Sequence, residues 1–437
     1  MSDNRFRVAI IGGGIGGLCL AQGLKKAGIE VALYERDRSA TARLQGYRIH
    51  ISPRGSRALH DCLPSGLYEA FVATCGASGG RFRFLNEQMA ELAGFEEEPG
   101  DDVIARHHSA SRITLRQVLL AGLADVVHFD KAFTHYVEEP DGPIRLDFED
   151  ESTAFCDVLV GADGGNSAVR RQLLPHAQRI DTGVVGIAGK LMLTDENRPK
   201  VPPSLLRGAG LVLAAGRCSM FIAPHQFGER VVPALGAIGG NDEAWMLRPG
   251  ALFDNTTSYL MWAYGGFRAD MEKRQRLEDC SVEELRTMVV SLIARWHSDF
   301  QTMVGLSDPA SISVLPIRTS VPVEAWETKR ITLIGDAIHS MTPYRGIGAN
   351  VALRDANTLC AQLDAARAGA CHLDRAIGAY EEEMRVYGFA AVRGSLKAMR
   401  AAVAEKGVGF RLTKLALRTI NLLPPLRRRF LAAFAEE

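Results

Sequence analysis

Three short segments combine glycine with carboxylates at spacings suited to a phosphorylated cofactor. The first is Gly12-Gly13-Gly14-Ile15-Gly16-Gly17, with Glu35 following 18 residues beyond Gly17. In a G-x-G-x-x-G pattern Gly12 permits a tight turn, Gly14 lets the backbone approach a pyrophosphate, and Gly17 lets a helix pack on a strand. A helix starting there offers free N–H groups and a positive dipole end to phosphates. Glu35 stands where an acid receives a ribose hydroxyl pair, and Arg36 beside it is a further candidate for cofactor contact. An acid at position 35 disfavours a 2′-phosphate, which leaves FAD or NAD.

The elements around this motif agree with it. Arg7–Ile11 (RVAII) is a short run rich in β-branched residues, as expected of a buried parallel strand. Leu18, Ala21, Leu24 and Ala27 recur at helical spacing up to Gly28, a helix stop, and Glu30–Tyr34 (EVALY) is a second strand. Two later clusters repeat the theme. Residues 157–163 (DVLVGAD) predict a strand ending in Gly161-Ala162-Asp163-Gly164-Gly165, and residues 331–336 (ITLIGD) predict another. The latter runs through His339, Pro343, Gly346, Gly348 and Asn350 into a helix carrying Val351, Leu353, Ala356 and Leu359 on one face. In a parallel sheet such strand ends converge on one crevice, where ligands bind.

GGGIGG with Glu35, GADGGNSAVR and GDAIHSMTPYRGIGANVALRDA, in this order, resemble the single-component FAD-dependent aromatic hydroxylases, the group A flavoprotein monooxygenases. The similarity runs over roughly residues 7–360 and looks most like the branch with the tetracycline-inactivating monooxygenases. It implies an α/β fold: a Rossmann-like FAD domain, an inserted mixed or antiparallel substrate sheet, and a helical tail. It implies that Glu35 binds the adenosine ribose, and that Arg43 and Arg112 contact the adenosine, pyrophosphate and ribityl parts of FAD. Asp163 would sit near the pyrophosphate and Asp336 would hold a ribityl hydroxyl. Gly346, Gly348 and Asn350 would bring backbone N–H groups and a helix N-terminus to the flavin N1/O2 edge, where reduced flavin is anionic. Pro343 and Gly346 would position the flavin loop, with no firm side-chain catalyst. The implied reaction consumes NAD(P)H and O₂, and a flavin hydroperoxide delivers one oxygen to the substrate. NAD(P)H has no dinucleotide domain of its own in the family, and the chain has no second complete G-x-G-x-x-G unit.

Other residues invite chemistry and have plainer readings. Arg112 opens R-x-x-L-R and could be a surface charge on a helix; first-turn placement favours the cofactor. His339 reads as structural, since this chemistry needs no histidine base, and Asp355 as a packing or capping carboxylate. His107-His108 lack metal-ligand spacing, and no metal is expected.

Composition narrows the class. Of 437 residues, 47% are apolar and 23% charged, with 51 basic and 51 acidic side chains, which excludes a disordered chain and gives no nucleic-acid-binding excess. Eight cysteines without a C-x-x-C pair read as reduced thiols, and no apolar run reaches the ~18 residues of a membrane span. The apolar N-terminal stretch imitates a signal peptide but is broken by five glycines in six residues, so a cytoplasmic protein is expected. Its partners would be a small apolar or aromatic substrate and O₂, as a monomer or homodimer.

The reading divides the chain into residues 1–178 (FAD domain, first part), 179–325 (substrate sheet), 326–372 (FAD domain, second part) and 373–437 (helices). Strand-like runs recur at 186–193, 210–214, 219–223, 231–238, 258–264 and 311–316, with a hairpin turn at 214–217 and a helix at 281–296 capped by Ser281. Cys218, Met220 and Ile222 share one strand face and are the expected substrate contacts. That face lacks the Arg and Tyr which, in the family's small-phenol hydroxylases, grip a carboxylated phenol, so a larger, more apolar, polycyclic or secondary-metabolite substrate is expected. In the tail, helices at 376–399 and 410–422 are expected, the second amphipathic and basic, packed across both domains rather than on a membrane. A flavin halogenase is excluded by the missing W-x-W-x-I-P signature. A non-oxygenating flavin dehydrogenase or reductase and a non-catalytic FAD module stay open, as do epoxidation and Baeyer–Villiger insertion.

Overall fold

The computed structural model describes residues 6–40, 48–77, 80–96, 102–139, 142–227, 258–273, 275–404 and 408–423. Its first layer is a five-stranded parallel sheet in the order Ile331–Leu333, Val158–Gly161, Arg7–Ile11, Glu30–Tyr34, Val127–His128. These runs are short and apolar because both faces are covered, the condition under which parallel strands form. Ile11 pairs with Gly161 and Gly161 with Leu333, so all three glycine-bearing segments leave the sheet at one edge. Beneath it the helix Ile15–Lys26 packs on the helix Gly348–Arg367, where Gly16 brings Ala352 close.

The second layer is a seven-stranded sheet in the order Ser313–Ser320, Arg179–Met192, Tyr259–Phe267, Cys218–His225, Ala209–Leu213, Arg81–Asn86, Glu91–Glu96. All its pairs are antiparallel except Ala209–Leu213 with Arg81–Asn86. Arg179 begins one strand of this sheet, and the hairpin of Arg81–Asn86 and Glu91–Glu96, from within the expected 1–178 unit, forms its far edge, where Phe82 and Phe84 find apolar neighbours. The turn expected at 214–217 joins two of the strands, with Gly216 at φ +127° and Arg217 at +60°. The expected strand at 231–238 lies outside the described residues.

One face of this sheet is covered by the helices Val282–Leu292 and Ser298–Gly305. Ser281 caps the first of them reciprocally with Glu284, a capping box. The tail forms Leu373–Ala402, a 30-residue helix, and Val408–Leu422. The first spans both layers: Tyr380 donates to Leu333 O at 2.9 Å in the parallel sheet, while Met399 and Val403 pack on Val184 and Ile317 of the other. The second lays Leu417 and Ile420 on Phe84 and Phe95, and Lys414 binds Glu87. Among the described residues no helix is long and apolar enough to cross a membrane. The basic run Arg427–Arg429 lies outside the described residues.

Candidate FAD site

The glycine loop is built for close approach. Gly12 has φ +109°, where a Cβ would strike the Ala162 carbonyl, and a Cβ on Gly17 would strike the Gly12 carbonyl. Strand, loop and helix can therefore nest only without side chains there. A Cβ on Gly14 would meet nothing within 4 Å, so space lies open beside the helix N-terminus. Gly14 caps that helix without a side-chain hydrogen bond, and its first turn holds no acid. Unclaimed N–H groups and an uncancelled dipole end face that space.

Glu35, only 8% exposed, braces the loop: Oε2 accepts from Gly13 N at 2.6 Å and Oε1 from Asp37 N at 2.9 Å. Arg36 is exposed, and Arg43 lies outside the described residues. Arg112 is exposed at the start of the helix Arg112–Leu120. Arg116, one turn on, reaches the loop instead, donating to Ala40 O at 2.7 Å and Gly13 O at 3.2 Å. Sequence reasoning passed over Arg116, although its i+4 spacing from Arg112 places both on one helix side.

At the neighbouring strand end, Asp163 Oδ2 accepts from Ala168 N at 2.6 Å while Oδ1 is buried without a hydrogen-bond partner. Arg170 ties this loop to the third segment, donating to Ala337 O at 2.7 Å; burial holds its pKa below the usual arginine value. Asp336 is exposed in the first turn of the short helix Asp336–His339. His339 is sealed inside and bonds Asp355 Oδ2 at 2.6 Å, an oxygen that also accepts from Gly335 N at 2.7 Å. Tyr387 donates to the other oxygen of Asp355 at 2.6 Å. The carboxylate of Asp355 thus anchors the loop to two helices.

Pro343 is exposed, Gly346 adopts φ +65° with open space around it, and Gly348 begins the 20-residue helix, whose first turn lacks acids. The Asn350 side chain is a bracket: Oδ1 accepts from Ser52 N at 2.8 Å and Nδ2 donates to His50 O at 2.9 Å. Only its backbone is left for a cofactor. Tyr344 was not singled out from the sequence. It crosses to the second sheet, where its hydroxyl meets Ser219 and fills the space above Gly265. Burial pushes its pKa up to about 12.

This contact is made on the strand face opposite the expected substrate contacts. Cys218, Met220 and Ile222 lie in the core under the two covering helices, against Trp262, Phe300 and Val289. Ser219, Phe221, Ala223 and His225 point the other way, Ser219 meeting Tyr344 and His225 meeting Ser109. Both faces of this strand are largely buried, so the burial pattern alone does not say which of them meets a ligand.

FAD suits these residues: Gly14 leaves a void at a helix N-terminus, a second bare N-terminus stands at Gly348, and Asp163 Oδ1 is an orphan acceptor between them. The sequence matches the family described as "FAD binding domain" over residues 5–200 and 257–395. It is 31% identical over 374 residues to 3-amino-4-hydroxybenzoate 2-monooxygenase PtmB3 of Streptomyces platensis, covering 84% of this chain and 81% of that one. It is 30% identical over 373 residues to the dual O-methyltransferase/FAD-dependent monooxygenase elcB of Phaeosphaeria nodorum, covering 80% of this chain. The chain spans about two fifths of the length of elcB and of the similar dual enzymes of two Cercospora species. A crystal structure from Photorhabdus luminescens, assigned as an FAD-containing monooxygenase, superposes with TM-score 0.79 at 35% identity, covering 91% of this chain and 98% of that one. The chain belongs to the FAD binding domain family of flavin-dependent monooxygenases.

Proposed function

We propose that the chain uses FAD, NAD(P)H and O₂ to insert one oxygen atom into a small aromatic or enolic molecule, by hydroxylation or epoxidation. The observation that carries this reading is the convergence of Ile11, Gly161 and Leu333 on one sheet edge, together with the Tyr344–Ser219 contact that joins the segment after Leu333 to the second sheet. A cofactor on that edge ends beneath a substrate face.

In this reading the Gly12–Gly17 loop and the N-terminus of its helix hold the pyrophosphate, Glu35 the ribose, and Asp163 and Asp336 the chain toward the flavin ring. Arg116 ties the glycine loop, through Gly13 O, to the segment at Ala40. Gly346 and Gly348 offer backbone N–H groups to the pyrimidine edge, and the helix dipole stabilises negative charge there. Bound FAD, once reduced by NAD(P)H, supplies the activated oxygen. Pro343 and Tyr344 form the wall between ring and substrate and exclude water from it.

The facing sheet surface supports this substrate class: Phe221, Ala223, Ala263 and Met261 share it, apolar side chains suited to packing on a ring. The hydroxylated aminobenzoate in the name of the Streptomyces relative is a reasonable first probe. Titration with FAD, then NADPH added without oxygen, tests the reading: a stoichiometric yellow complex that bleaches near 450 nm supports it. A colourless protein that takes up no FAD contradicts it.

A further inference from the structure

His225 ends the Cys218–His225 strand on the face that looks toward the FAD domain, and its ring is entirely buried. Nδ1 lies 2.9 Å from Ser109 Oγ, which accepts from Arg48 Nε at 2.7 Å. Among the described hydrogen bonds the Ser109 hydroxyl has no other acceptor, so its proton goes to His225 Nδ1. That leaves the His225 proton on Nε2, as a donor. Nε2 is buried and has no hydrogen-bond partner. Burial first, with Arg48 and Lys190 nearby, holds the imidazole pKa at about 3, so the ring is neutral.

The place is informative. Ser109 pairs with His50, and His50 O accepts from Asn350 at the head of the flavin-loop helix. One end of the His225 strand is thus tied to the FAD domain through Ser109, and the other through Ser219 and Tyr344. Six residues of extended chain separate the two ties, roughly 20 Å, with Phe221 and Ala223 facing the interval. Gly76 is kept bare against the ring: a Cβ there would come within 2.7 Å of His225 Cε1. A domain latch would need Nδ1 alone. It would leave no reason to seal a second N–H donor without an acceptor, which is costly in a buried site.

Resting on the flavoenzyme reading above, we propose that His225 Nε2–H is a positioning donor for an oxygen of the substrate, a phenolic, enolic or carbonyl oxygen. Arg48 and Ser109 fix its tautomer. The substrate enters with an oxygen at the His225 end of the sheet face and its ring along Phe221, so His225 sets which ring carbon faces the flavin loop.

The test uses FAD-loaded enzyme and four probes: 3-amino-4-hydroxybenzoate, 3-aminobenzoate, 2-naphthol and naphthalene. Dissociation constants come from perturbation of the flavin absorption spectrum. Wild type is expected to bind each hydroxylated probe at least about tenfold more tightly than its partner lacking that hydroxyl. His225→Leu should lose that preference, and His225→Gln, whose amide N–H falls near Nε2, should restore it to within about threefold. Equal preference in His225→Leu overturns the proposal, as does failure of both hydroxylated probes to perturb the wild-type spectrum. An altered FAD affinity in His225→Leu with probe preference intact assigns the donor to the flavin instead and also overturns it. Failure to bind FAD at all, in every variant, would instead defeat the underlying flavoenzyme reading.

Discussion

His339 Nε2 lies 2.6 Å from Asp355 Oδ2, and both side chains are sealed from solvent at the root of the flavin loop. Because the same oxygen also holds Gly335 N, one carboxylate fixes both the turn after the strand and the short helix that follows. Breaking a buried pair by removing one partner leaves the other uncompensated and costs about 3–5 kcal/mol. Asp355→Ala should therefore lower the melting temperature by about 3–5 °C, measured by circular dichroism. An unchanged melting temperature would show that the pair does not hold the loop.

The glycine loop separates two effects that a single alanine usually confounds. At Gly14 a methyl group meets open space and φ is −77°, so Gly14→Ala should fold normally yet weaken FAD binding at least tenfold by filling the cradle. At Gly17 the methyl meets the Gly12 carbonyl, so Gly17→Ala should lower the melting temperature as well. Isothermal titration with FAD beside thermal melts checks both. Loss of stability in Gly14→Ala would contradict the open cradle.

The two faces of the Cys218–His225 strand make opposite predictions. Met220→Ala opens a cavity in the core and should cost about 2–5 kcal/mol of stability while leaving substrate preference alone. Phe221→Ala, on the other face, should raise KM for aromatic probes several-fold with a smaller stability loss. Denaturant melts and steady-state kinetics on both variants decide. A reversed pattern would assign the substrate to the Cys218, Met220 and Ile222 face instead.

Stability should fall in mild acid, for a defined reason. Burial first, then neighbouring cations, holds His50 and His225 at about 3 in the folded state, against about 6.5 when unfolded. Between these values the unfolded chain takes up protons that the native one refuses, so stability is lost as pH falls from about 6.5 toward 3. His339 has the opposite sign. Burial lowers its pKa, but Asp355 outweighs burial and leaves it raised. Its contribution is full below about 6.5 and is lost as pH rises through the raised value. His225→Gln should flatten the acid limb of a melting-temperature–pH profile, and His339→Gln the alkaline one; unchanged limbs would contradict the assignment.

Much of this was legible in the chain because local rules decide it. The GGGIGG loop needs glycine for reasons that act within a few residues, and the parallel strands announce themselves as short apolar runs. What escaped depends on distance. Nothing local says that residues 81–96 join a strand at 209–213, since a parallel pairing carries no turn signal. Both faces of Cys218–His225 are largely buried, so the parity that brings Ser219 to Tyr344 appears only once the covering helices are placed. Arg116 hid behind Arg112 because one helical turn separates two identical residue types.

The central claim is oxygen insertion at a flavin held between Gly14 and Gly348. FAD-loaded enzyme, NADPH and ¹⁸O₂ are combined with 3-amino-4-hydroxybenzoate or 2-naphthol, and the products are weighed by mass spectrometry. The account predicts a product carrying one ¹⁸O atom, with one NADPH consumed per product. Consumption of NADPH that yields only hydrogen peroxide with both probes, or a product whose new oxygen comes from water, would contradict it.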